Sequence, residues 1–133
     1  MNAVFADSYY YLAIVSDHDA GHERAVEFAR AYHGRVVTTD WVLLEVADAL
    51  SAPQRRQVFL ELIESLRSDG MVIVIEASRE LFDVGLRLFA DRQDKAWSLT
   101  DCTSFVVMQQ FGLGEPLTAD HHFEQAGYIA LLN

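Results

Sequence analysis

Ala3-Val4-Phe5-Ala6-Asp7-Ser8-Tyr9-Tyr10-Tyr11-Leu12-Ala13-Ile14 opens the chain with a short apolar run, an acid and an aromatic-rich segment. A continuous apolar run without polar alternation reads as a buried strand, Ala3 to Ala6, and Tyr9 onward reads as a helix entered directly from it. The same unit recurs along the chain. Ala25, Val26, Phe28, Ala29 and Tyr32 stand at helical spacing within 19–32, Gly34 is expected to stop that helix, and Arg35 to Thr38 supplies a second strand. Thr39 or Asp40 caps a helix from Trp41 to about Ala52, and Pro53 is predicted to open another, with Val58, Phe59, Leu62, Ile63 and Leu66 on one side and Gly70 at its end.

Met71 to Ile75 is a β-branched run, hence a third strand, followed by a helix over about 78–89 and a polar connection from Asp91 to Lys95. Ser98 with a carboxylate three positions on, at Asp101, marks a helix start, and that helix runs to Gly112. Glu115 to Ala119 fits a short fourth strand, Asp120 caps a helix over 121–125 that Gly127 ends, and Tyr128 to Leu132 reads as a last strand. Strands that are continuous apolar runs and alternate with helices predict a three-layer α/β/α domain around a mostly parallel sheet.

Composition narrows the class. The 133 residues suffice for one domain, 1–133, with a sizeable core, and with only Pro53 and Pro116 and scattered glycines no linker is visible. Asp7 and Ser8 interrupt the apolar start and no basic residue precedes it, so neither a secretory signal nor a membrane span is indicated, and a soluble, cytoplasmic protein is expected. Cys102 stands alone, which agrees with a reducing compartment. Twenty Asp and Glu against ten Lys and Arg give a formal net charge of −10, which repels nucleic acid, and no basic stripe offsets it. Either the partner is not a polyanion, or bound cations and a few arginines reverse the sign locally.

In an open parallel sheet all strands end on one edge, so acids far apart in sequence are expected to meet there. Asp7 follows the first strand and Asp120 the fourth, Asp101 lies in the first turn of a helix, and Glu45 sits inside the apolar run Val42 to Ala47, one turn into the helix after the second strand. Whether Asp101 faces the same crevice depends on strand order, which pattern alone leaves open. Carboxylates sharing a crevice repel one another unless a cation neutralises them, and hard oxygen ligands without a Cys or His cluster suit Mg²⁺ or Mn²⁺. Taken singly, each acid has a structural explanation: Asp7 and Asp120 as helix caps, Asp101 as half of a capping box with Ser98, Glu45 as a solvated helix residue.

The joint pattern resembles the PIN-domain family, and most closely its VapC toxins, over nearly the whole chain. Asp94 to Phe105, then Leu117-Thr118-Ala119-Asp120-His121-His122-Phe123 and Gln125 to Tyr128, look like the family's third and fourth acidic motifs. Phe5-Ala6-Asp7-Ser8 looks like the first and Glu45 to Leu50 like the second, with Asp48 where relatives often carry Asn. The resemblance implies a five-stranded parallel sheet and a site in which Asp7, Glu45, Asp101 and Asp120 hold the metal. It also implies cleavage of RNA phosphodiesters, with 5′-phosphate and 3′-hydroxyl products, and a small antitoxin as partner. Ser8, Thr100 and Thr118 are candidates for orienting the carboxylates.

Other features weigh less. His18 and His22 are four apart but lack a third ligand and read as surface residues, while His121 and His122 adjoin Asp120 and fit capping or packing as well as a role at the site. Cys102, at an apolar helix start, reads as a small buried thiol. Arg55, Arg56, Arg92 and Lys95 are possible phosphate contacts, with a solvated surface the blander reading. The Tyr9 to Leu12 aromatics and the Phe59 to Leu66 stripe exceed one core's needs and suit a partner helix or a homodimer. The competing functions are a non-catalytic binding module that keeps the fold, and a Mg²⁺-dependent phosphatase, against which Asp7-Ser8-Tyr9 lacks the second Asp two residues on.

Overall fold

The structure is a computed structural model that describes residues 2–133. Four strands, β1 (Ala3–Ala6), β2 (Arg35–Thr39), β3 (Val72–Ile75) and β4 (Pro116–Leu117), form one parallel sheet in the order β3-β2-β1-β4. Helices α1 (Ser8–Val15), α2 (His22–Ala31), α3 (Asp40–Ala49), α4 (Arg56–Ser68), α5 (Arg79–Asp91), α6 (Leu99–Phe111) and α7 (His121–Gln125) flank it. The α/β fold with a central parallel sheet is as the sequence predicts. No helix of the described residues is long and apolar enough to cross a membrane.

The strand count corrects the expectation of five. Residues 128–132 lie along the free edge of β4, where Ile129 N–H donates to the Gly114 carbonyl and Leu131 N–H to the Pro116 carbonyl, at 3.2 and 3.0 Å. A parallel ladder needs return donors from the other side. One would have to come from Pro116, which has no N–H, and another from Thr118, whose N–H is turned to the Pro116 carbonyl at 3.1 Å. The segment therefore docks through half a ladder and is not a strand.

Two helix ends also differ. Tyr32 adopts an extended backbone that ends α2 at Ala31, where its ring stacks on Phe28 and its hydroxyl donates to the Arg35 carbonyl, so Gly34 lies beyond the helix. Pro53 stands in a turn closed by Arg55 N–H on the Ala52 carbonyl, and α4 opens only at Arg56, whose Nε donates back to the Ser51 carbonyl.

α6 is the central helix. Every residue from Asp101 to Met108 is buried, which fits a helix enclosed on all sides. Phe105 packs edge-to-face on Trp97 and Phe123, each at 5.0 Å between ring centroids, and so ties α6 to α7. α5 approaches α6 at Gly85, where an added Cβ would stand 2.7 Å from Thr103 Cγ2 and 3.4 Å from its Cα. Gly85→Ala should therefore destabilise the protein by about 1–3 kcal/mol in urea unfolding, overpacking outweighing the roughly 1 kcal/mol of helix propensity gained. The aromatics of α1 and the stripe on α4 pack partly against the core, yet α4 buries no residue fully and Leu60 remains 56% exposed.

Candidate functional site

The strand order supplies what pattern left open. The chain steps outward from β1 to β2 to β3, then crosses to the other side of β1 to lay down β4. The order reverses between β1 and β4, and the crevice outside their carboxyl ends is where open parallel sheets bind ligands. Asp7 follows β1 and Thr118 follows β4, both buried, and Thr118 Oγ1 donates to Asp7 Oδ2 at 2.8 Å. Thr118 Oγ1 in turn accepts the Asp120 N–H at 3.1 Å.

Each remaining acid reaches this region from a capped helix. Thr39 caps α3 by accepting the Val42 N–H, which sets Glu45 on the second turn, and Ser8 Oγ donates to Glu45 Oε1. Ser98 and Asp101 form a reciprocal capping box at the start of α6, the Ser98 hydroxyl accepting the Asp101 N–H at 2.9 Å and Asp101 Oδ2 accepting the Ser98 N–H at 3.1 Å. The structural reading of Asp101 is thus correct without excluding a functional one. Asp120 caps α7 through the His122 N–H, and His122 Nδ1 lies 3.1 Å from Asp101 Oδ2 and 3.6 Å from Asp120 Oδ1. Ser98→Ala should cost about 1 kcal/mol of stability in urea unfolding, the usual worth of such a cap, while the backbone N–H at 98 still donates to the Asp101 carboxylate.

Burial pushes the Asp7 carboxyl up to about 7. The Thr118 hydroxyl and the Ser8 N–H oppose that rise, while the Asp101 and Glu45 carboxylates add to it. Burial also raises Asp101, partly offset by the Ser98 N–H and by His122, with Asp120 pushing upward. The four acids therefore feel one another through Asp7 and Asp101. They do not all touch: among the described residues, the group whose ligand atoms lie within 4.8 Å of one another is Asp120, His121 and His122. Each carboxylate leans on its own hydrogen-bond partner, as like charges do when only protein dipoles compensate them.

The donor set fits a hard divalent cation. Asp7, Glu45 and Asp101 offer oxygens only, and among the described residues no Lys or Arg pairs with any of them, so Asp7 is a buried acid without a counter-charge. Thr100 engages only its carbonyl, which accepts from Thr103 Oγ1, and its hydroxyl orients none of the acids. The sequence did not single out His122 above His121, because its reach to Asp101 depends on how α7 docks on α6. Ser8 holds Glu45 across 37 positions for the same kind of reason.

The other candidates fall outside the crevice. His18 is fully solvated beside Asp17, and His22 starts α2 with Nδ1 at 2.7 Å from the Ala13 carbonyl, so the pair shares no helix face. Cys102 is fully buried and its thiol is pushed up to about 11, chiefly by burial, which suits packing and not nucleophilic attack. Arg92 is held by Asp94 through Nε and Nη2, at 3.0 and 3.1 Å.

No family model and no curated protein matches the sequence. Among solved structures the chain is similar to VapC20 of Mycobacterium tuberculosis, a toxin that cleaves the sarcin-ricin loop, with a TM-score of 0.86 and 22% identity over 95% of this chain and 96% of that one. It is also similar to FitAcB of Neisseria gonorrhoeae, with a TM-score of 0.64 and 15% identity over 96% and 94% of the two chains. The resemblance carried by the acidic motifs thus holds at the level of architecture, and the chain has a PIN-like fold.

Proposed function

We infer that this chain is a metal-dependent endoribonuclease and the toxin of a toxin–antitoxin pair. The observation that carries the reading is Asp7, a buried acid at the β1/β4 switch point that faces Glu45 and Asp101 without a basic partner. The likeness in fold to a toxin that cleaves the sarcin-ricin loop supports it.

Asp7, Glu45, Asp101 and Asp120 would hold Mg²⁺ or Mn²⁺, with Asp7 and Asp101 as the inner ligands. Bound there, the cation would activate water for in-line attack on a phosphodiester and stabilise the departing 3′-oxygen. The protein's own part is positioning. Thr118 fixes Asp7, Ser8 fixes Glu45, and Ser98 with His122 fixes Asp101, so that the carboxylates keep their places whatever the substrate does. A net charge of −10 makes general RNA binding unfavourable and favours cutting only where a structured element fits the crevice. A small antitoxin laid on the half-buried stripe of α4 is the partner this reading implies, a homodimer contact is a second use for such a surface, and the cytoplasm is where the substrate is found.

The test incubates purified protein with structured RNAs, a sarcin-ricin hairpin among them, in Mg²⁺ or Mn²⁺, beside an EDTA control and Asp101→Asn. Cutting by the wild type in metal alone is expected. Persistence in Asp101→Asn would remove that residue from the site, and phosphatase activity without RNA cutting would favour the phosphatase reading.

A further inference from the structure

A second concavity, of about 220 Å³, opens between α5, α6 and α7, lined among others by Arg92, Trp97, Phe105, Gln109, Gln125 and Tyr128. It is too small for a drug-sized molecule and suits one planar group. Its wall is a layered stack. The Arg92 guanidinium carbon lies 5.0 Å over the Trp97 ring, and Asp94 grips Arg92 from the side through Nε and Nη2, which holds the guanidinium in place and leaves Nη1 free.

The polar groups are arranged with one bias. Trp97 Nε1–H donates to Gln125 Oε1 at 3.1 Å, which occupies the acceptor of that amide and leaves its NH₂ to donate. Gln109 is exposed at the end of α6, and its side chain makes no hydrogen bond among the described residues. Arg92 Nη1 and Gln125 Nε2 are thus two free donors on residues that line the concavity, with the Gln109 amide able to give or accept. Gln125 stands five positions after Asp120, so the concavity lies roughly 7.5 Å along α7 from that acid, at 1.5 Å per residue.

We propose that this concavity is a nucleobase subsite that takes a guanine of the RNA strand held at the carboxylates, its O6 and N7 edge read by Arg92 and Gln125 with the Gln109 amide beside them. Unpaired bases in RNA are hydrogen-bonded along their Watson–Crick and Hoogsteen edges, and here Asp94 and the Trp97 ring hold a guanidinium in place to donate. A pair of donors matches a pair of acceptors. Guanine presents O6 and N7 together, whereas adenine and cytosine place an amino group where one donor would have to point. The subsite rests on the ribonuclease reading for its strand, yet it binds without a phosphodiester or a metal.

The experiment uses that independence. In a Trp41→Phe background Trp97 is the sole indole, and its emission is followed while guanosine, adenosine, cytidine and uridine are added in EDTA to the full chain. Nucleosides carry no charge, so the protein's own charge does not repel them. A saturable change with guanosine is expected, several-fold weaker with adenosine and cytidine and lost in Gln109→Ala and in Arg92→Lys, both with the melting temperature of the parent. No saturable response to guanosine, equal responses to all four nucleosides, or a response that survives both substitutions would overturn the proposal. A negative titration with RNA still cut in Mg²⁺ removes the subsite alone, and a positive titration without any cutting removes the ribonuclease reading alone.

Discussion

Asp7→Asn is expected to melt several degrees above the wild type in EDTA near pH 8, and to cut RNA at least about 100-fold more slowly in Mg²⁺, since even residues that only support a metal ligand cost 10–100-fold. Both halves follow from one side chain. The Asp7 carboxyl is 4% exposed, and its pKa stands at about 7 against an ordinary 3.8. At about 1.4 kcal/mol per unit, holding it ionised costs the fold about 4 kcal/mol without a cation. Asparagine has the same shape, keeps an oxygen for the Thr118 hydroxyl and carries no charge, so it removes the cost while giving up the ligand. Calorimetry beside the cleavage assay checks it. A lower melting temperature with lost cleavage would mean that Asp7 is structural, and full cleavage would mean that it is no ligand.

The second large effect is a dependence of stability on pH that Mg²⁺ reverses. A carboxyl whose folded pKa is raised stabilises the fold fully below its unfolded value near 3.8, and that contribution is lost as pH climbs through about 7. The metal-free protein should accordingly lose about 4 kcal/mol from this group between about pH 4 and 7. A divalent cation binds the ionised form and must displace the proton, so its apparent affinity should fall about tenfold for each pH unit below 7. Melting curves with and without Mg²⁺ should therefore coincide near pH 5 and separate near pH 8, the Mg²⁺ sample being the more stable. Equal shifts at both pH values would show that the cation does not compete with the Asp7 proton.

The two predictions meet the charge of the molecule in a consistent way. A chain of net charge −10 gains nothing general from an ion-free crevice, and Arg92, one of its ten Lys and Arg, is already spoken for by Asp94. On the ribonuclease reading proposed above, local attraction for phosphate would come from cations held by the carboxylates, and RNA affinity would then follow the same pH curve as metal affinity.

What the sequence by itself determined was most of what is written in neighbouring residues, the helix ends expected at Gly34 and Pro53 excepted. Ala3 to Ala6 running into Asp7, the Ser98–Asp101 box and the Asp120 cap are spaced by backbone geometry within a few positions, so their reading stands almost unchanged in the structure. Tertiary structure alone decided the order β3-β2-β1-β4, which opens the crevice between Asp7 and Thr118, the docking of α7 that carries His122 to Asp101, and the edge at Pro116 that stops residues 128–132 from becoming a strand. Those outcomes depend on which distant segments pack together, and packing is settled by burial and loop closure across the whole chain, for which no local spacing is a substitute.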